Sequence, residues 1–134
     1  MLEVSPTLAM KYLILSLSFL ILTSCSHAIA PEVSEVLEVS HDKLVERDGV
    51  TYQVDSAEPF TGRSVRFHEN GKLQNKTDYK NGKKNGLSEW YWENGILGQR
   101  GNLKNGKKEG LLERFNQNGV LIRRVVYKNG MRMK

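Results

Sequence analysis

The last 72 residues of the chain repeat with a period of 24 and no gap: residues 63–86, 87–110 and 111–134 align column for column. A fixed period of this length marks a repeat architecture, in which one unit cannot bury its own apolar surface and stability comes from stacked neighbours. Each unit carries two Asn-Gly pairs. They are Asn70-Gly71 and Asn81-Gly82, then Asn94-Gly95 and Asn105-Gly106, then Asn118-Gly119 and Asn129-Gly130. Asn-Gly between alternating segments is a strong hairpin signal, because type I′ turns demand φ > 0 at both central residues and these two residue types tolerate it. The pairs leave room for strands of about 5 to 8 residues. No helical i, i+3, i+4, i+7 apolar pattern competes with this reading. The expected fold is all-β: an antiparallel β-hairpin repeat meander forming an elongated twisted sheet, with strands in sequence order.

Alternation assigns faces. Past the first turn of each unit, Leu73, Asn75, Thr77 and Tyr79 share one side, as do Leu97, Gln99, Gly101 and Leu103, and Leu121, Arg123, Val125 and Tyr127. The aromatic column Phe67, Tyr91 and Phe115, the leucine column Leu73, Leu97 and Leu121, and the series Tyr79, Leu103 and Tyr127 are expected to form the packed face. Lys76, Arg100 and Arg124 make a basic column on the reverse face. Trp90 and Trp92 flank Tyr91 and so point away from the aromatic column; as aromatics outside the packed face they are candidate partner-binding residues.

Charge divides the chain. Residues 31–60 hold eight Asp/Glu and two Lys/Arg, a net of −6, whereas residues 63–134 hold seventeen Lys/Arg and six Asp/Glu, a net of +11. A basic half of this kind suits an anionic partner, and lysines at strand edges equally protect a sheet from edge-to-edge pairing.

The N-terminus has the layout of an export signal. Lys11 supplies a positive start, residues 12–22 form an apolar run too short to span a bilayer as a helix, and Leu22-Thr23-Ser24-Cys25 follows. Those four residues resemble the lipobox of bacterial lipoproteins, in which the cysteine receives the lipid and becomes the mature N-terminus. Acyl chains then hold the protein to a membrane, each buried CH₂ contributing roughly 0.8 kcal/mol. Ser26 in place of an aspartate favours the outer membrane in a Gram-negative cell. Ala28-Ile29-Ala30 offers a competing cleavage site that would release a soluble secreted or periplasmic protein, but Pro31 would sit just after that cut. Glu3 and Pro6 fit a signal start poorly, which makes Met10 the better initiator. Residues 1–24 are thus expected to be the signal, 25–43 a tether, 44–62 a degenerate cap repeat with its own Asp48-Gly49 hairpin turn, and 63–134 three repeats.

Catalytic chemistry is not legible. Cys25 is the single cysteine, and His27, His41 and His68 have no partner at catalytic or metal-ligand spacing. Asn-Gly-Lys-Lys-Asn-Gly lacks the strand–loop–helix setting of a phosphate loop. Glu69 and Glu93 occur once per unit beside turns, where they suit turn lysines better than acid–base work. The expectation is a chain that is not an enzyme and needs no cofactor or metal.

The text His68-Glu69-Asn70-Gly71-Lys72-Leu73 with Tyr79-Lys80-Asn81-Gly82-Lys83-Lys84-Asn85-Gly86 recurs in phase as Trp92-Glu93-Asn94-Gly95-Ile96-Leu97 with Leu103-Lys104-Asn105-Gly106-Lys107-Lys108-Glu109-Gly110. It resembles the MORN-variant repeat of bacterial YwqK-type toxin–antitoxin antitoxins. The third copy departs from the pattern, with Gln117 in place of Glu and Met131 after Gly130. The resemblance implies a β-hairpin array acting as an interaction or membrane-proximal module, and neutralisation of a toxin by direct binding. Combined with the lipobox, it implies an envelope-anchored, immunity-like protein with a protein partner. The alternative expectation is binding of an anionic envelope polymer or lipid by Lys76, Arg100 and Arg124. Nucleic acid is not an expected partner of an exported chain.

Overall fold

The computed structural model describes residues 35–134; the export signal, Cys25, the alternative cleavage site and the first part of the tether lie outside them. In chain order the elements are β1 (Glu38–Ser40), a 3₁₀ turn (His41–Lys43), β2 (Leu44–Arg47), β3 (Val50–Gln53), β4 (Gly62–Phe67), β5 (Leu73–Lys80), β6 (Lys83–Tyr91), β7 (Leu97–Lys104), β8 (Lys107–Phe115), β9 (Leu121–Lys128) and β10 (Met131–Arg132). Eight strands form one open sheet in the order β1-β4-β5-β6-β7-β8-β9-β10, and β2 and β3 form a separate hairpin. From β4 onward every pairing is antiparallel between consecutive strands, so the expected all-β meander is present.

The two Asn-Gly series build different turns. Asn81, Asn105 and Asn129 have φ near +50° and each is followed by a Gly with positive φ, as the type I′ expectation requires. Asn70, Asn94 and Asn118 do not adopt positive φ; only Gly71, Gly95 and Gly119 do. In the first of these loops His68 N–H donates to Lys72 O at 2.8 Å and Gly71 N–H to His68 O at 2.9 Å. This is a three-residue loop whose closing glycine alone is left-handed. The Asn70 side chain accepts from Lys72 N–H at 3.0 Å, which stabilises the turn locally.

Side chains and turns stitch each repeat to the next. Gly82, Gly106 and Gly130 N–H groups donate to the carbonyls of Phe60, Lys84 and Lys108, at 2.8, 2.8 and 2.9 Å. On the other edge the Asn70 and Asn94 amides donate to Glu93 O and Gln117 O, both at 2.8 Å. Contacts of this kind couple nearest neighbours, which is how a repeat array acquires stability.

The N-terminal end of the sheet is capped earlier than the sequence indicates. Residues 38–43, assigned to the tether, contribute β1 and the 3₁₀ turn, and β1 pairs in parallel with β4 through Glu38–Arg63, Val39–Ser64 and Ser40–Val65. Val39, Phe60 and Tyr79 form a buried cluster, with Leu44 packed against it and the Phe60 and Tyr79 rings 5.6 Å apart. The β2–β3 hairpin covers the Asn81-Gly82 turn: Thr51 N–H donates to Gly82 O at 2.9 Å and Lys83 Nζ to Gly49 O at 2.8 Å.

The side that holds Thr77, Tyr79 and Val125 is packed as expected, but the buried column on it is not the expected one. Tyr79 is buried, but Phe67 is 54% exposed and Leu121 37% exposed. The buried line instead follows one rung across the strands, Ser64–Thr77–Ser88–Gly101–Leu112–Val125, in which Ser64, Thr77, Leu112 and Val125 are buried. The physical reason is the single layer. Among the described residues the only second sheet is the β2–β3 hairpin at the N-terminal end, so bulky aromatics near the other turns stay partly wet. Mid-strand residues are covered by their own neighbours on the flanking strands.

Candidate functional site

On one face the sheet carries the rung Val65–Lys76–Glu89–Arg100–Glu113–Arg124. The basic column expected to meet an anion is therefore interleaved with a carboxylate column. Lys76 Nζ lies 2.9 Å from Glu89 Oε2, and Arg100 Nε and Arg124 Nε lie 2.7 and 2.8 Å from the two oxygens of Glu113. Tyr91 O–H also donates to Glu89, at 3.0 Å. Hydrogen bonds from Arg100 and Arg124 hold the Glu113 carboxyl below its ordinary pKa, and the hydrogen bond to Glu89 raises that of Lys76. Cross-strand pairing of opposite charges fixes the register of the sheet. It also removes much of the free positive charge that sequence reading gave this face. Glu89 and Glu113 themselves sit 24 residues apart, a periodicity that was visible in the sequence.

The next rung along the same face changes character from repeat to repeat. In the first it is Arg63–Asp78, an ion pair with Nε to Oδ1 at 2.7 Å; in the second it is Leu87–Asn102; in the third it is Leu111–Val126. Met133 N–H donates to Val126 O at 2.8 Å, which brings a third apolar residue alongside. Leu111, Val126 and Met133 are 44%, 50% and 47% exposed. Of the twelve exposed large hydrophobics among the described residues, seven belong to the third repeat. The sequence did not single out this rung, because Val126 and Met133 stand in columns that are polar in the earlier repeats and Leu111 repeats the apolar Leu87.

The opposite face holds the tryptophans. Trp90 and Trp92 meet edge to face, with ring centroids 4.4 Å apart at 73°. Trp92 occupies the column of His68, and both perform the same stitch: His68 Nε2 lies 2.9 Å from Tyr91 O, and Trp92 Nε1 donates to Phe115 O at 3.2 Å. The Trp92 ring is thus anchored by the scaffold. Trp90 lies over Gly98, where a Cβ would come within 2.3 Å of the indole. Two clefts open on either side of the pair. One, of about 420 Å³, is lined by Trp90, Trp92, Gly98, Gln99, Arg114, Phe115 and Ile122. The other, of about 540 Å³, is lined by His68, Gln74, Trp90, Trp92, Glu93, Asn94 and Gln117. Among the described residues no group of three or more His, Cys, Asp or Glu side chains is placed to hold a metal ion.

Residues 60–81, 84–105 and 108–129 match the MORN repeat variant, three times in succession. The chain carries three MORN-variant repeats. The matched segments keep the 24-residue period and begin at Phe60, so the MORN array takes in the last residues of the region expected to be the cap. MORN-variant repeats are a non-catalytic repeat module, consistent with a chain that binds. No curated protein and no solved structure matches the chain.

Proposed function

We infer that this MORN-variant protein is a non-catalytic binding module of the bacterial cell envelope. Lipid on Cys25 tethers it to a membrane, the outer one in a Gram-negative cell, and its array holds a protein partner in the manner of an immunity protein or antitoxin. The observation that supports the reading most is the apolar rung Leu111–Val126 with Met133, exposed beside the charged pair Glu113–Arg124. An apolar centre with a charged rim is the anatomy of a protein interface. Binding of an anionic polymer by Lys76, Arg100 and Arg124 is the weaker reading, because such a ligand must displace Glu89 and Glu113 from them.

The first repeat suggests the test. Leu111→Arg with Val126→Asp writes its Arg63–Asp78 pair into the third repeat, so the fold is expected to persist by circular dichroism. Chain solubilised gently from envelopes should elute with a stoichiometric protein partner, and the double variant should elute alone. A wild-type chain that elutes alone, or a double variant that keeps its partner, contradicts the protein-partner reading. Separately, Cys25→Ser should abolish metabolic labelling with an alkyne fatty acid and move the chain to the soluble fraction; membrane retention without label contradicts the lipid anchor.

A further inference from the structure

The indole clefts lie on the face opposite the apolar rung and raise a separate question. Three residues of the second repeat depart from their columns together. Trp90 replaces the arginines Arg66 and Arg114, Trp92 replaces His68 and Asn116, and Gly98 replaces Gln74 and Ile122. The scaffold does not require this, since His68 makes the same inter-repeat contact with an imidazole. The departures are also sterically coupled: any side chain at position 98 would collide with Trp90, and a Cβ there would lie 2.9 Å from Trp92 Nε1. The result is an indole wall, fixed at Trp92 by a hydrogen bond and open on both sides.

The lining specifies the ligand chemistry. Carboxamides line both clefts: Gln99 in one, its oxygen shared with Arg114, and Gln74 and Gln117 in the other, beside an Asn94 held in its own turn. A carboxamide donates and accepts at once, and so does a hydroxyl, so the two are matched in any orientation. Charge is balanced rather than directed, because Arg114 lines one cleft and Glu93 the other. Arg114 is further committed, its Nε donating to Gln99 Oε1 at 2.9 Å. The two clefts carry opposite charges, so a charged ligand that spans both gains no net attraction from them. A purely apolar side chain would leave the Gln74 and Gln117 amides without a partner from the ligand. A pyranose ring in the gluco configuration suits both demands: its axial C–H groups form an apolar face for an indole, and its equatorial hydroxyls reach outward to the amides. Each cleft falls within the usual 300–1,000 Å³ or so of small-ligand sites, and the two share a wall.

We propose that the paired clefts around Trp90 and Trp92 are a carbohydrate-binding site, taking neutral pyranose rings of a β-linked glycan chain, whose equatorial linkages keep successive rings extended across the two adjoining clefts. This site is independent of the protein partner and lies on the other face of the array.

The test uses the chain without its signal, residues 26–134, with defined soluble oligosaccharides. Cellohexaose and the hexamer of N-acetylglucosamine are the probes, and maltohexaose is the α-linked control. Saturation-transfer NMR on the unmodified protein should mark the axial H3 and H5 protons of the β-linked sugars, and tryptophan fluorescence should titrate to saturation. Trp90→Ala should weaken binding by about tenfold or more, the loss of one good aromatic contact. Gln99→Ala, which leaves the indoles in place, should weaken it by a smaller factor and guards against a folding defect in the first variant. If neither β-linked hexamer gives saturable binding at millimolar concentration, the proposal is overturned. Binding that is unchanged in both variants, or that maltohexaose matches, overturns it equally. The Leu111→Arg, Val126→Asp protein should bind sugar normally, so failure here is distinguishable from failure of the protein-partner reading.

Discussion

The first and third repeats share a sequence pattern but not a fate. In the first, β1 covers the strand edge, the β2–β3 hairpin covers the Asn81-Gly82 turn, and Arg63 and Asp78 pair across the surface rung. In the third, the outer edge of β9 meets only β10 and Met133, a Cβ added at Gly130 would meet nothing but the Lys107 side chain, and the surface rung is apolar. The period writes the same hairpin each time. What surrounds the hairpin decides whether a column is core, ion pair or exposed surface. Repeat arrays are nearest-neighbour systems, so their ends are where identical text acquires different meanings.

The cap should dominate stability. Phe60 stands in the column that holds Lys84 and Lys108 in the later repeats, and it is 3% exposed against Tyr79. Phe60→Ala should cost about 3–5 kcal/mol in urea unfolding, against a total of roughly 5–15 kcal/mol for a domain. A cost near that of a surface substitution would mean the cap is decoration. Next in size is a pair of glycines from one column. At Gly82 an added Cβ meets Val50 at 2.3 Å and Thr51 O at 2.9 Å, whereas at Gly130 its nearest neighbour is Lys107 Cβ at 3.7 Å. Both have positive φ, so Gly→Ala costs about 1–2 kcal/mol at either site, with about 1–3 kcal/mol of overpacking added at Gly82 alone. Equal losses of thermal stability in the two variants would erase the distinction between capped and open ends.

The third prediction is smaller and appears in acid. Glu113 has a folded pKa below its unfolded one, because Arg100 and Arg124 hydrogen-bond its carboxylate. Its contribution is complete above the ordinary carboxylate range and is lost as the pH falls through the depressed folded value. Glu113→Gln should therefore lower Tm at neutral pH and converge with the wild type as the solution is acidified. A Tm gap that is constant with pH would place the contribution in packing, not charge.

Much of this molecule was legible in its sequence, and what was hidden has definite causes. The meander, the strand order and the Asn81, Asn105 and Asn129 turns follow from spacing and turn chemistry alone. The ion ladder did not, because of β-bulges. Counting back from the Asn81-Gly82 turn sets Lys80 opposite Lys83 and would set Lys76 opposite Leu87. The register shifts between Thr77 and Tyr79, and Lys76 meets Glu89 instead. A second shift between Gly101 and Asn102 brings Arg100 to Glu113. A two-residue offset of this kind leaves side chains on the same face, so alternation cannot detect it. The tryptophans were recognised as exceptions, but their cleft depends on Gly98 in the adjoining strand, where the missing side chain makes the space. The sealing of the first repeat by β1 was hidden because a three-residue strand carries almost no periodic signal.

The protein-partner reading rests on one end of the array being adhesive where the middle is not. A photo-crosslinking amino acid placed at position 126, or at the column-equivalent exposed position 102, reports this within intact envelopes. The account predicts a discrete protein adduct from position 126, lost when Leu111→Arg is added, and none from position 102. Adducts of equal yield from both positions, or from neither, would contradict it.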